Sequence, residues 1–213
     1  MSKLLNKDKI DAFWESRTSV ENPRLATNYR DDGRLRIDVA LVREHLEENA
    51  TILDLGAGTC TLASELFPFA KRIVAVEKFA GFLESADDVP KLEKVCSDVT
   101  EFQTNEKFDA ILLFGVVNFL TNAEAQRLYS NCARMLTEHG VLIVKHQCGV
   151  KEEIVVDKYS DELQTHYNAR YPSVGEERAL LQEHFQTEVI DVYPAEINRW
   201  ENTHFYAYVC RMR

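Results

Sequence analysis

Residues 51–62 read T-I-L-D-L-G-A-G-T-C-T-L, an apolar run that halts at Gly-Ala-Gly and resumes with helical spacing. A strand that turns over two glycines into a helix constrains the fold more than any other stretch. The turn brings bare backbone to the carboxyl end of a strand, where an open α/β sheet places its binding crevice. Further apolar runs at 72–77, 92–98, 108–115 and 140–147 lack strict polar alternation, as strands buried on both faces do. Helical patterns at 59–67, 81–86 and 123–136 separate them, and Gly140 reads as a helix stop. That alternation predicts a parallel sheet with helices on both faces.

The tail departs from the rhythm. Ser173 and Glu176 have capping-box spacing before a helix through Leu180, Leu181 and Phe185. Strands at 187–193 and 204–212 follow, joined by a segment too short for a helical crossover, so they are expected to pair antiparallel. Ahead of the sheet, 10–17 and 32–48 read as helices, the second with Leu35, Val39, Val42 and Leu46 on one face. One domain is expected, with 1–49 as a helical cap on an α/β core at 50–213.

The strand ends carry the chemistry. Asp54 lies two positions before the first glycine, where a carboxylate suits an ammonium better than a pyrophosphate. Glu77 ends the second strand and can accept from both hydroxyls of a ribose. Asp98 follows the third strand and could accept from an adenine amine. An amine, a ribose and an adenine without phosphate describe S-adenosylmethionine.

The ordered runs I-L-D-L-G-A-G-T-C, V-A-V-E, S-D-V, F-D-A-I-L-L-F-G-V-V-N and G-V-L-I-V resemble the motif series of class I S-adenosylmethionine-dependent methyltransferases. The resemblance implies a Rossmann-like, seven-stranded sheet of order 3-2-1-4-5-7-6 with an antiparallel last strand. It implies cofactor contacts at Asp54, Gly56, Ala57, Gly58, Glu77, Lys78, Asp98 and Val99, with Phe114, Gly115 and Asn118 beside the methionine end. The family usually has a third glycine where this chain has Cys60.

Methyl transfer from a sulfonium is an in-line displacement with a good leaving group, so alignment and water exclusion matter most. Neither Asn-Pro-Pro-Tyr nor Asp-Pro-Pro-Tyr follows the fourth strand, and the apolar rim there favours an oxygen nucleophile on a small polar acceptor such as a sugar or metabolite. In Lys145-His146-Gln147 the histidine is the candidate base. Tyr159, His166, Tyr167 and Tyr171 form an aromatic cluster ahead of the next helix, in a segment long enough for a lid. Trp14, Tyr29, Arg30 and Arg34 are placed to close over the cofactor, and Trp200, beside Arg199, stands in the last connection. Tyr29, Arg34, Tyr159, His166, Tyr167, Tyr171 and Trp200 are the candidate acceptor contacts.

A net charge of −10 repels a nucleic-acid backbone, and the Arg30, Arg34, Arg36 stripe is interrupted by acids, so a nucleic-acid acceptor is disfavoured. Five scattered cysteines suggest neither disulfides nor a zinc knuckle, and no metal site is expected. The absence of a long apolar run predicts a chain without membrane association, at home in the cytoplasm. Competing readings are a non-catalytic cofactor-binding module, an aminopropyl-transferring enzyme, and an NAD-dependent oxidoreductase. The last normally needs G-x-G-x-x-G, which Thr59, Cys60 and Thr61 do not complete.

Overall fold

In the computed structural model, residues 5–27, 32–160, 165–198 and 200–213 are described. Tyr29, Arg30 and Arg199 lie outside them. Three helices lead, α1 (Lys7–Arg17), α2 (Pro23–Ala26) and α3 (Asp32–His45). The alternating part follows as β1 (Ala50–Leu55), α4 (Thr61–Leu66), β2 (Ala70–Glu77), α5 (Ala80–Glu84), β3 (Leu92–Cys96) and β4 (Phe108–Phe114). After a 3-10 turn at Val117–Phe119 come α6 (Asn122–Met135), β5 (Leu136–Gly149), β6 (Ile154–Ser160), β7 (Thr165–Tyr171), α7 (Val174–Leu181), β8 (Phe185–Asp191) and β9 (Thr203–Met212).

The main sheet has the order β3-β2-β1-β4-β5-β9-β8. β1 to β5 run parallel, and β9 is antiparallel to both β5 and β8. This is the expected 3-2-1-4-5-7-6 order with one addition. β6 and β7 form a separate two-stranded antiparallel sheet inserted between β5 and α7. The segment expected to supply an aromatic lid is thus a β-ladder running from Ile154–Tyr171 to Ser160–Thr165.

Side-chain alternation splits the core into two layers. Leu53, Leu55, Ile111, Leu113, Leu142 and Val144 pack toward α6 and α7, while Ile52, Ala110, Leu112, Val141 and Ile143 pack toward α3 and α4. α6 starts with a reciprocal Thr121–Glu124 capping box and buries Leu128, Tyr129, Cys132 and Met135 on one side. Truncating Leu128 to Ala would remove about 2–5 kcal/mol by transfer and cavity terms. The Ser173–Glu176 capping box of α7 forms as the spacing predicts.

Gly140 does not stop a helix. α6 ends at Met135 and the chain enters β5 at once, so Gly140 lies within the strand. The pairing with β4 shifts register there, and an added Cβ would come 3.0 Å from the Phe108 carbonyl. Close approach, not capping, explains this glycine. Phe185 likewise opens β8 and does not extend α7.

Candidate active site

The carboxyl ends of β1, β2, β4 and β5 open into one cavity of about 1150 Å³. Gly56 and Gly58 adopt φ of 78° and 53°. A Cβ would stand 2.3 Å from Val116 Cγ2 at Gly56 and 2.6 Å from Thr27 Cγ2 at Gly58. Both turn and crowding therefore exclude a side chain. The loop is tied to β2 through Gly56 N and Ala57 N, which donate to the Val76 carbonyl at 2.8 and 3.1 Å.

Cys60, at the position of the family's third glycine, has φ of 56° and is fully buried. A non-glycine residue in this conformation costs about 1–2 kcal/mol. The thiol packs among the buried residues between β1 and α4, and burial pushes its pKa up to about 12.

Glu77 is placed by the loop it faces. Its Oε2 accepts from Gly58 N at 2.9 Å and its Oε1 from Phe79 N at 3.0 Å. Burial raises its pKa despite those backbone donors. Asp54 is 3% exposed, and burial, reinforced by the Glu77 charge, lifts its carboxyl to about 7. Two buried carboxylates at neighbouring strand tips are unfavourable alone and call for a cationic or hydroxyl-rich partner.

At Asp98, burial raises the pKa, but hydrogen bonds from Thr100 and the Lys78 charge outweigh it and hold the carboxyl below its ordinary value. Its Oδ1 accepts from Thr100 N at 2.9 Å and Thr100 Oγ1 at 2.7 Å, leaving Oδ2 facing Lys78 at 3.4 Å. Lys78 also binds Asp11 at 2.7 Å, joining α1 to this rim. Val99, Phe114 and Gly115 line the same cavity. Asn118 lines it too, but its amide donates to the Gln147 and Arg170 carbonyls, both at 2.8 Å, stapling the 3-10 turn to β5 and β7.

The opposite end is assembled from distant segments. Lys145 on β5 reaches into a buried cluster with Asp38 of α3, and donates to the Tyr193 hydroxyl at 2.7 Å. Tyr193 donates in turn to Asp38 Oδ1 at 2.8 Å. Burial pulls the Lys145 pKa down, against the pull of Asp38. Arg34 sits 5.8 Å above the Tyr193 ring and 5.5 Å above that of Phe205. The sequence reading favoured His146 in this segment, whereas period 2 puts residue 146 on the opposite face from Lys145.

His146 borders the cavity, yet its side chain is fully buried toward α7, its ring tilted 31° to that of Tyr208 and its Nε2 3.8 Å from Glu177. Burial drives its pKa down to about 3, so the imidazole is neutral and a poor proton acceptor. The expectation of a base does not fit this placement.

The β6–β7 hairpin forms a wall. Ile154, Val156, Lys158, Tyr167 and Tyr171 line the cavity. Tyr159 and His166 fall on the other face by strand alternation. Tyr159 is 55% exposed, and His166 pairs with Asp157 at 2.5 Å, so neither borders the cavity. α1 closes this side, with Phe13 5.3 Å from Tyr167 and Trp14 5.4 Å from Phe119. Arg34 and Trp200 also line the cavity.

The glycine cradle and the carboxylate pair fit an aminoacyl nucleoside. Residues 53–144 match the family model described as a methyltransferase domain. No curated protein matches the sequence. Among solved structures, a complex of DhpI with S-adenosylhomocysteine is similar over 100% of this chain and 98% of its own, at a TM-score of 0.74 and 16% identity. A Burkholderia thailandensis 1,6-didemethyltoxoflavin-N1-methyltransferase is similar over 100% and 92%, at 0.73 and 18%. The [4+2]-cyclase SpnF is similar over 82% and 80%, at 0.66 and 15%.

The match at residues 53–144 marks a methyltransferase domain in this part of the chain, and the chain as a whole shares the fold of these solved structures. Among the described residues no helix is long and apolar enough to cross a membrane.

Proposed function

We propose that the chain methylates an oxygen of a small polar metabolite, with Asp54, the glycine loop and Glu77 holding the cofactor and the β5–β9 end holding the acceptor. The observation that carries this reading is one continuous cavity bordered by both sets of residues. At about 1150 Å³ it exceeds the roughly 300–1,000 Å³ of a single-ligand site, which leaves room for two ligands together.

The cofactor supplies a methyl on a sulfonium, already activated for displacement. The protein then aligns the acceptor and excludes water, and the ring cluster of Trp14, Phe119 and Tyr167 serves that exclusion. Asp54, ionised against the ammonium, and Glu77, facing the ribose, fix the nucleoside. Among the described residues neither His146 nor the two tyrosines of the β6–β7 wall is a ready base. His146 stays neutral, and burial raises the Tyr167 and Tyr171 pKa values. A nucleophile that is acidic or already ionised is therefore favoured over a sugar hydroxyl.

Calorimetry with S-adenosylhomocysteine, then a product assay over pools of acidic and neutral metabolites, tests this. Absence of binding would sink the reading. Binding without turnover on any pool would favour a second one, that the fold serves here as a cofactor-binding scaffold. The likeness to a [4+2]-cyclase supports keeping that alternative, since one fold hosts several chemistries.

A further inference from the structure

Arg34 lines the cavity in a half-buried position, and its guanidinium stands over two aromatic rings. Stacking uses the flat faces and leaves the five N–H donors at the edge. Among the described residues no carboxylate pairs with this side chain. The nearby buried carboxylate, Asp38, is held by Lys145 and by the Tyr193 hydroxyl. Arg34 thus brings a cation to this end of the cavity in an aromatic setting. On the rim, exposed Lys158 and Glu196 contribute one charge of each sign.

Position separates this charge from the cofactor's own carboxylate. That group shares a carbon with the ammonium and must lie within about 3 Å of it, beside Asp54 on β1. Arg34 packs on Phe205 of β9, and β4 and β5 stand between β9 and β1. Three strand steps amount to about 14 Å. A planar cation that far along the sheet faces the second ligand. The walls there are amphipathic, with Trp200, Phe205 and Tyr171 lining the same space.

We propose that the acceptor is a small planar organic acid, its anionic group seated on the edge of Arg34 and its body held between Trp200, Phe205 and Tyr171. This rests on the reading of the other end as the cofactor site. A charge-assisted, two-pronged contact of this kind distinguishes an acid from its neutral amide.

The test uses the full chain saturated with S-adenosylhomocysteine, titrated by calorimetry with benzoate, 4-hydroxybenzoate and phenyl phosphate, and with neutral benzamide as reference. At least one anion should bind about tenfold or more tighter than benzamide. R34A should abolish that preference while leaving S-adenosylhomocysteine affinity within about twofold, and R34K should recover only part of it. Folding of each variant is checked by its unchanged cofactor affinity. Equal binding of anions and amide by the native chain overturns the inference. So does an R34A variant that loses cofactor affinity but keeps the preference, since Arg34 would then serve the cofactor. If S-adenosylhomocysteine itself fails to bind the native chain, the cofactor reading falls and takes this one with it.

Discussion

At the β1–β3 end of the cavity each polar group belongs to the strand tip that carries it. Asp54, Glu77 and Asp98 follow one another along the sheet, and the partners of Glu77 and Asp98 are nearby backbone amides or side chains one loop away. At the β5–β9 end the polar groups come together only in three dimensions. Lys145 meets Asp38 across 107 positions, and Tyr193 meets it across 155. Among the described residues, local construction places two carboxylates side by side without an ion-pair partner, whereas remote construction pairs its lysine with Asp38 and leaves Arg34 without a carboxylate. The first end is poised for a cation and the second for an anion.

Asp54→Asn gives the largest expected break in that contrast. Removing the buried charge should weaken S-adenosylhomocysteine binding by about 100-fold, the scale of a lost buried ion pair, and leave anion binding at the other end in place. Unchanged affinity by calorimetry would contradict the assignment. The native chain should show the same dependence through pH. The folded Asp54 pKa of about 7 lies above the unfolded value, so the stability linked to its proton is present at low pH and lost as pH rises through about 7. A cationic ligand favours the ionised form, so affinity should fall toward about tenfold per pH unit below 7. Asp54→Asn should flatten both the affinity profile and the melting-temperature profile.

A smaller effect is expected at His146. His146→Gln should leave any acid limb of the rate profile in place, because a group with a pKa of about 3 does not titrate there, and should lower the melting temperature by disturbing the packing near Glu177. Loss of the limb with stability retained would restore it as a base. The smallest is Cys60→Gly. Relief of about 1–2 kcal/mol of left-handed strain opposes lost burial and added chain entropy, so a stability change within about 1 kcal/mol is expected in denaturant melts.

The same contrast governs how much was legible in the sequence. The parallel strands and the Asp54, Glu77 and Asp98 positions follow from apolar runs ending in acids, because the signal and its consequence lie within a few residues, whereas the strand order is what the family resemblance implies. Arg34 and Trp200 were candidates by residue type, and the cavity gathers both. Lys145 was passed over for His146, although alternation along a strand puts 145 and 147 together on the face away from 146. The β6–β7 hairpin was missed because 154–171 has neither a glycine nor a proline to mark its turn, and its aromatics fall on both faces. Tyr159 and His166 were drawn in with Tyr167 and Tyr171 for that reason.

That hairpin shares no strand with the seven-stranded sheet. Its loop length and cavity-facing side chains can therefore be rewritten without breaking a ladder bond of the scaffold. Selection for a new acceptor has a module to work on whose alteration leaves the nucleoside socket standing, and distant descendants of one ancestor can keep a common frame while parting company over what they modify.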